Sequence, residues 1–157
     1  MKTIQVKKGE ILQHKGDLNT KGYMVKKGLL RSYSIDEKGK EHIFLFAPEN
    51  WIIADSISGD LPCQLFIDVL ENSEIQVFEK VIEDNSDTTK ILLKRLSVIQ
   101  NRVIMLMSAT AIERYEHFVE TYPEITQRVP QRMIASYLGI TPEALSKAKG
   151  DRFKNKK

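Results

Sequence analysis

One cysteine, Cys63, in 157 residues closes no intramolecular disulfide, and the count excludes a zinc ribbon or a four-cysteine iron–sulfur cluster built within one chain. It fits a reducing compartment. No apolar run approaches the roughly 18 residues that a membrane span needs. The opening MKTIQVKKGE has no apolar signal core either, so we expect a cytoplasmic chain with no membrane partner. No glycine lies between Gly59 and Gly139, and no Lys or Arg between Lys40 and Lys80. What is present is ordinary for a soluble globular chain, 41% hydrophobic and 29% charged, which excludes a disordered tail, a collagen-like fibre and a disulfide scaffold. The length suits one domain or two small modules.

The net charge of +3 hides a split. Residues 1–87 carry 11 Lys and Arg against 15 Asp and Glu, a balance of −4, whereas residues 88–157 carry 13 against 6, a balance of +7. A basic half suggests a polyanion as partner, which the acidic half would repel. Glycine usage divides the chain in the same region. In the first part, Gly9, Gly16, Gly22, Gly28, Gly39 and Gly59 sit in polar clusters between short β-type stretches: GYMV, LLRSYSI, HIFLF, LFIDVL and EIQVF. Many short strands separated by turns predict a sandwich or barrel. In LFIDVL, Leu65, Ile67 and Val69 face one way, Phe66 and Asp68 the other. Two largely apolar faces suit either the wall of an enclosed cavity or a core strand covered on both sides.

After about Asp87 the hydrophobic period changes from two to about three and a half. Leu92, Leu96, Ile99, Val103 and Leu106 follow spacings of four, three, four and three, with Leu93, Ile104 and Met107 widening the stripe. This predicts one long amphipathic helix, which either packs as a core helix or offers a heptad seam to a second copy; we favour the seam and a homodimer. ATAIERYEHFVETYP predicts a further helix that stops near Pro123.

QRMIASYLGITPEALSKAKG, from Gln131, predicts two helices joined by a tight turn. Ile134, Ala135 and Leu138 point inward from the first helix, and Leu145 and Ala148 from the second. Ala135 is small where the second helix crosses, Gly139 suits a left-handed turn, and Ile140 fills the space beneath it. Thr141 caps the second helix, with Pro142 at its first position, where a missing amide costs nothing. Such a helix-turn-helix presents the start of its second helix to the DNA major groove. The candidate DNA-binding residues are therefore Gln131, Arg132, Thr141, Pro142, Glu143, Ser146, Lys147 and Lys149. Glu143 either accepts from a cytosine amino group or serves as a helix N-terminal carboxylate. Lys147 reaches a guanine edge or a phosphate, and a basic tail of Lys149, Arg152, Lys154, Lys156 and Lys157 adds salt-sensitive affinity. Gly150 costs about 1 kcal/mol inside a helix, so we expect the second helix to end there.

The order of turn-rich β module, long helix and helix-turn-helix resembles the Crp/Fnr family of bacterial transcription regulators nearly end to end. KKGEILQHKGD is similar to the family's opening strand and turn, GYMVKKGLLRSYSIDEKGKEHIFLFAPENW to its next strands, and RVPQRMIASYLGITPEALSK to its DNA-binding motif. The resemblance implies an α+β chain: a cyclic-nucleotide-binding-like jelly roll over 1–87, a dimerisation helix over 88–109, and a winged helix-turn-helix domain over 110–157 that reads two half-sites of double-stranded DNA.

Three departures bear on what carries over. The helix that usually precedes the opening strand is missing here, so we expect reduced N-terminal cover. The stretch from Pro123 to Pro130 is too short for the hairpin often found there, so any wing is minimal. Third, the phosphate-binding cassette is altered. Members that bind cyclic nucleotides use a Gly-Glu pair, the acid on the ribose, and an Arg-Ser pair on the phosphate; the matching positions here look like Ala54-Asp55 and Cys63-Gln64. Together with Trp51 these outline the candidate pocket for an unknown small-molecule effector. With Asp55, Asp60 and Asp68 in an interval that lacks cations, a cyclic phosphate would be desolvated without a partner, so we expect that cyclic AMP does not bind.

No cofactor and no metal is expected. The family's cluster-bearing oxygen sensors use several cysteines, and His14, His42 and His117 are scattered, with Glu113 and His117 only an i,i+4 pair. A cupin-type enzyme would need His and carboxylate ligands on neighbouring strands, and no nucleophile triad or phosphate loop is present, so no enzyme is expected. The competing functional class is a ligand-binding or protein-interaction module whose helix-turn-helix no longer binds DNA.

Overall fold

The computed structural model describes residues 2–55, 59–80 and 86–155. They form two units, one ending at Lys80 and one comprising the helices.

The first unit is two four-stranded antiparallel sheets. One has the order β1 (Lys2–Val6), β8 (Ser73–Phe78), β3 (Gly22–Lys27), β6 (Ile52–Ile53). The other has the order β2 (Ile11–Gln13), β7 (Phe66–Val69), β4 (Leu30–Ile35), β5 (Glu41–Ala47). The five β-type stretches read in the sequence are β3, β4, β5, β7 and β8. β1, not anticipated, pairs with β8 from Lys2 opposite Val77 to Val6 opposite Ser73. Its weak signal has a physical cause: KTIQV at the end of a sheet buries only Val6 fully.

Period-two alternation drives the packing. Val6, Tyr23, Val25, Ile53 and Ile75 from the first sheet meet Leu30, Ala47, Ile67 and Val69 from the second in one buried cluster. Two chain reversals constrain the residue type tightly. Gly28 holds φ +100° between β3 and β4, and a Cβ there would fall 2.2 Å from Ser73 Oγ. Its amide donates to Glu49 Oε1 at 2.9 Å. The β4–β5 turn is closed by Asp36, whose carboxylate accepts from the Lys38 and Lys40 amides and faces His42 Nε2 at 2.8 Å.

The outward face of β7 is not the apolar wall that LFIDVL suggested. Asp68 accepts two hydrogen bonds from Arg31, each 2.9 Å, and the guanidinium also meets Glu41. It lies 4.1 Å from the centroid of Tyr33, which stacks on Phe66. Burial opposes the charge on Arg31, yet its bonds to Asp68 and Glu41 outweigh that and hold it protonated more firmly than a free guanidinium.

The second unit is five helices: α1 (Ser86–Ser108), α2 (Ala111–Thr121), α3 (Ile125–Arg128), α4 (Gln131–Leu138) and α5 (Pro142–Asn155). The long helix, read as a separate segment over 88–109, starts two residues earlier and belongs to this unit. α2 starts at a capping box in which Thr110 and Glu113 satisfy each other's amides. That commits the Glu113 carboxylate locally, through bonds from the Thr110 amide and hydroxyl at 2.7 Å each, which hold it below the usual carboxylate range. The core is Tyr115, Phe118, Tyr122, Ile125, Val129, Ile134, Tyr137, Leu138 and Leu145. Phe118, Tyr122 and Tyr137 meet pairwise with ring centroids 5.3–5.6 Å apart. Pro123 to Pro130 holds α3 and no hairpin, and no strand occurs among the described residues of this unit.

Candidate nucleic-acid interface

α4 ends where the sequence puts its turn. Gly139 is left-handed at φ 63°, ψ 31°, and the Ile140 amide returns to the Ala135 carbonyl at 3.0 Å. Thr141 Oγ1 accepts from the Ala144 amide at 3.2 Å and its carbonyl from Leu145, which starts α5 with Pro142 in the first turn. Ala135 is 1% exposed, Leu145 0% and Ala148 3%, so α5 crosses α4 on small or tightly packed side chains. Ile140 is half-buried at the turn.

That packing decides what is left outside. Thr141, Pro142, Glu143, Ser146 and Lys147 are all exposed along the first turns of α5, as are Gln131 and Arg132 at the start of α4; Lys149 is half-buried. Glu143 bonds to its own amide and to the Thr141 hydroxyl, which lowers its pKa as an N-terminal carboxylate should experience. α5 does not end at Gly150 but continues to Asn155. A Cβ at Gly150 would meet nothing within 4 Å, and Arg152 beyond it places its guanidinium 5.7 Å from the Tyr115 ring, an anchor on α2 that offsets the glycine penalty. The Lys154 side chain, Lys156 and Lys157 lie outside the described residues.

The stripe on α1 is solvent-facing. Leu96 is 61% exposed, Ile99 45% and Val103 48%, and Leu93, Ile104 and Met107 continue the same band. Leu106 departs from it: half-buried, its Cδ2 lies 3.9 Å from where a Gly139 Cβ would stand. The Leu92 side chain lies outside the described residues.

The candidate effector residues flank β6 and the stretch that leads into β7. Asp55 is 3% exposed, and its Oδ2 accepts from the amides of Gln64 and Leu65 at 3.0 Å each, so the acid ties its own loop together. Cys63 is buried, its thiol directed at the His14 carbonyl at 2.9 Å; Gln64 is exposed, and Trp51 and Ala54 are half-buried. The cation gap in the sequence also closes in space. Lys80 Nζ donates to Thr20 Oγ1 at 2.6 Å and to the Asp55 carbonyl at 3.2 Å, and Arg31 neutralises Asp68. The neighbourhood is therefore less acidic than the interval from Lys40 to Lys80 implied. No group of three or more His, Cys, Asp or Glu suited to a metal occurs among the described residues.

No protein-family model and no curated protein matches this sequence. Solved structures do. FixK2 of Bradyrhizobium japonicum aligns with a TM-score of 0.81 over 98% of this chain and 85% of its own, at 18% identity. A CRP/FNR-family transcriptional regulator of Thermus thermophilus gives 0.73 over 98% and 87%, at 14% identity. The c-di-GMP-responsive global regulator CLP of Xanthomonas campestris gives 0.66 over 98% and 87%, at 12% identity. The chain has the fold of the CRP/FNR regulators. At these identities the likeness is one of backbone architecture, and the CRP/FNR fold lends its known chemistry to none of the side chains above. Two arginines, Arg102 and Arg114, escaped the sequence reading altogether, since a cation on an amphipathic helix looks like any solvated residue.

Proposed function

We propose that this chain is a sequence-specific DNA-binding transcription regulator that acts as a homodimer, with the first unit a jelly roll of the effector-domain type. One observation carries the reading: Thr141, Pro142, Glu143, Ser146 and Lys147 form an exposed row at the start of a helix that is itself anchored by buried Leu145 and Ala148 after a left-handed glycine turn. That is the arrangement by which a helix-turn-helix lowers one helix end into the major groove while the preceding helix crosses the backbone. In this reading Lys147 contacts a guanine edge or a phosphate, and Ser146 donates to the backbone or bases. Gln131 and Arg132 contact phosphate across the groove. Glu143 is held by its own helix terminus.

A single helix-turn-helix contacts too few bases for specificity, and the exposed band of Leu96, Ile99, Val103 and Met107 supplies the means of pairing two. Two such motifs read half-sites one helical turn, about 34 Å, apart. No described helix is long and apolar enough to cross a membrane, and no catalytic role is assigned to any residue. CLP, of the same fold, is described as responsive to c-di-GMP. Here the acid at the cassette is consumed by backbone amides and the matching second pair is Cys63-Gln64, so cyclic AMP is not the effector we propose.

Fluorescence anisotropy against DNA selected from a randomised pool, over a salt series, tests this. A regulator gives a log–log salt slope of several units and selected sites bound about a thousandfold or more above random DNA. A slope with no sequence preference identifies instead a module whose helix-turn-helix has lost its site. Micromolar cyclic AMP binding by calorimetry would overturn the effector statement alone.

A further inference from the structure

Two arginines from different helices converge on the end of α4. Arg114, in the first turns of α2, spreads its guanidinium over three backbone carbonyls: Nη2 donates to Leu106 at 2.6 Å, Nε to Ala109 at 3.0 Å and Nη1 to Leu138 at 3.0 Å. Arg102, on α1, donates from Nη2 to the Tyr137 carbonyl at 3.2 Å and lies 4.0 Å from the centroid of the Tyr137 ring. The last carbonyls of a helix lack amide partners and carry the negative end of its dipole, so a five-donor planar cation is well matched to them. Here the same cation caps two helices at once, the end of α1 and the end of α4. The meeting point lies against the turn of the helix pair: Arg114 Nη1 is 3.7 Å, and Leu106 Cδ2 3.9 Å, from the position of a Gly139 Cβ.

The covalent link between α1 and α2 is short. α1 stops at Ser108 and α2 begins at Ala111, so only Ala109 and Thr110 join them, and the capping box fixes Thr110. We infer that Arg102 and Arg114 form a clasp that sets the angle between α1 and the α4–α5 pair, and thereby the half-site spacing that a dimer recognises. The inference rests on the DNA-binding reading above. A small angle suffices. On a pivot arm of about 20 Å, the length of a 14-residue helix at about 1.5 Å per residue, a tilt of about 10° displaces the far end by about 3.4 Å, one base step. Neither arginine belongs to the proposed DNA-contacting row. Both are positioning residues, acting through the carbonyls of Tyr137 and Leu138.

The test is a spacer series: duplexes carrying the selected half-site twice, with centre-to-centre separations varied in single base pairs across about half a helical turn either way. The wild-type chain is expected to prefer one spacing by about tenfold or more over a half-turn shift, because the two faces of the duplex are then opposed. R114M keeps the aliphatic stem and removes every donor. It is expected to keep its dimer mass and its preference for the half-site sequence while the spacing preference falls to about threefold or less. R102K, which keeps a cation over Tyr137, should retain an intermediate preference. Should R114M not fold, R102M carries the same test, since Arg102 bonds from α1 to the Tyr137 carbonyl at the end of α4. A folded variant with an undiminished spacing preference overturns the clasp. A wild-type chain with no preference for any sequence or spacing overturns the DNA-binding reading, and the clasp's role with it.

Discussion

The two units use their positive charge in opposite ways. In the β unit, Arg31 is turned into the protein, its side chain 6% exposed, and two carboxylates claim it; Lys21 is paired with Glu79 and Lys80 donates to Thr20 and Asp55. In the helical unit Arg102 and Arg114 donate to helix carbonyls, while Arg132 and Lys147 face solvent. A surplus of +7 in the second half is thus more than a count of cations over anions. Backbone dipoles at helix ends take up part of the structural positive charge. Apolar side chains divide likewise: the β unit closes its alternating strands over one cluster, whereas α1 leaves an apolar band open.

That contrast can be broken from either side. The largest effect should come from the open band. Changing Ile99 and Val103 together to Asp puts four carboxylates into the proposed seam, which should weaken self-association by about a thousandfold, or about 4 kcal/mol, and give monomers by sedimentation with helicity kept. A wild-type mass in that variant moves the seam elsewhere.

Next is the closed side. Arg31→Met fills the same volume but leaves Asp68, 14% exposed, without its bidentate partner, and the expected loss is about 3–5 kcal/mol of unfolding free energy in urea. The additional exposed carboxylate, Glu41, can rehydrate. A loss below about 1 kcal/mol would mean that the network is a surface ion pair in disguise.

Lys147→Ala removes exposed charge and should leave stability nearly unchanged while costing about 1–3 kcal/mol of affinity on the best DNA site. Measured by anisotropy, unchanged affinity and sequence preference would show that α5 is not the reading helix. The smallest effect is a gain. Gly150→Ala adds a methyl group where nothing stands within 4 Å and should raise thermal stability by about 0.5–1 kcal/mol, because less backbone entropy is lost in forming α5. A destabilised G150A would place Gly150 in a role that its surroundings do not reveal.

Where a position's fate depends on its sequence neighbours, it was legible in advance. Gly139, Thr141 and Pro142 had their turn, cap and first-turn roles assigned from spacing alone, since each depends on residues no more than four away. Ile134, Ala135, Leu138, Leu145 and Ala148 followed from helical period. Thr110 and Glu113 carry the capping signature as openly, three residues apart, and the box forms. The contacts of Asp55 were not legible, because its partners, the amides of Gln64 and Leu65, are nine and ten residues away across a loop. The end expected at Gly150 failed for a similar reason: propensity sees the glycine, and the anchor of Arg152 on Tyr115 is tertiary.

Order along the chain alone therefore settled the succession of strands and then helices, the exposed row at the start of α5 and the apolar band of α1, because alternation, helical period and capping all act within a few residues. Which ionic groups remain available was decided only by the folded chain. Arg31 finds Asp68 37 residues away and Arg114 finds Leu138 24 residues away, and no local pattern distinguishes those arginines from ones left in water. Charge acts through space, and only folding sets which distances are short.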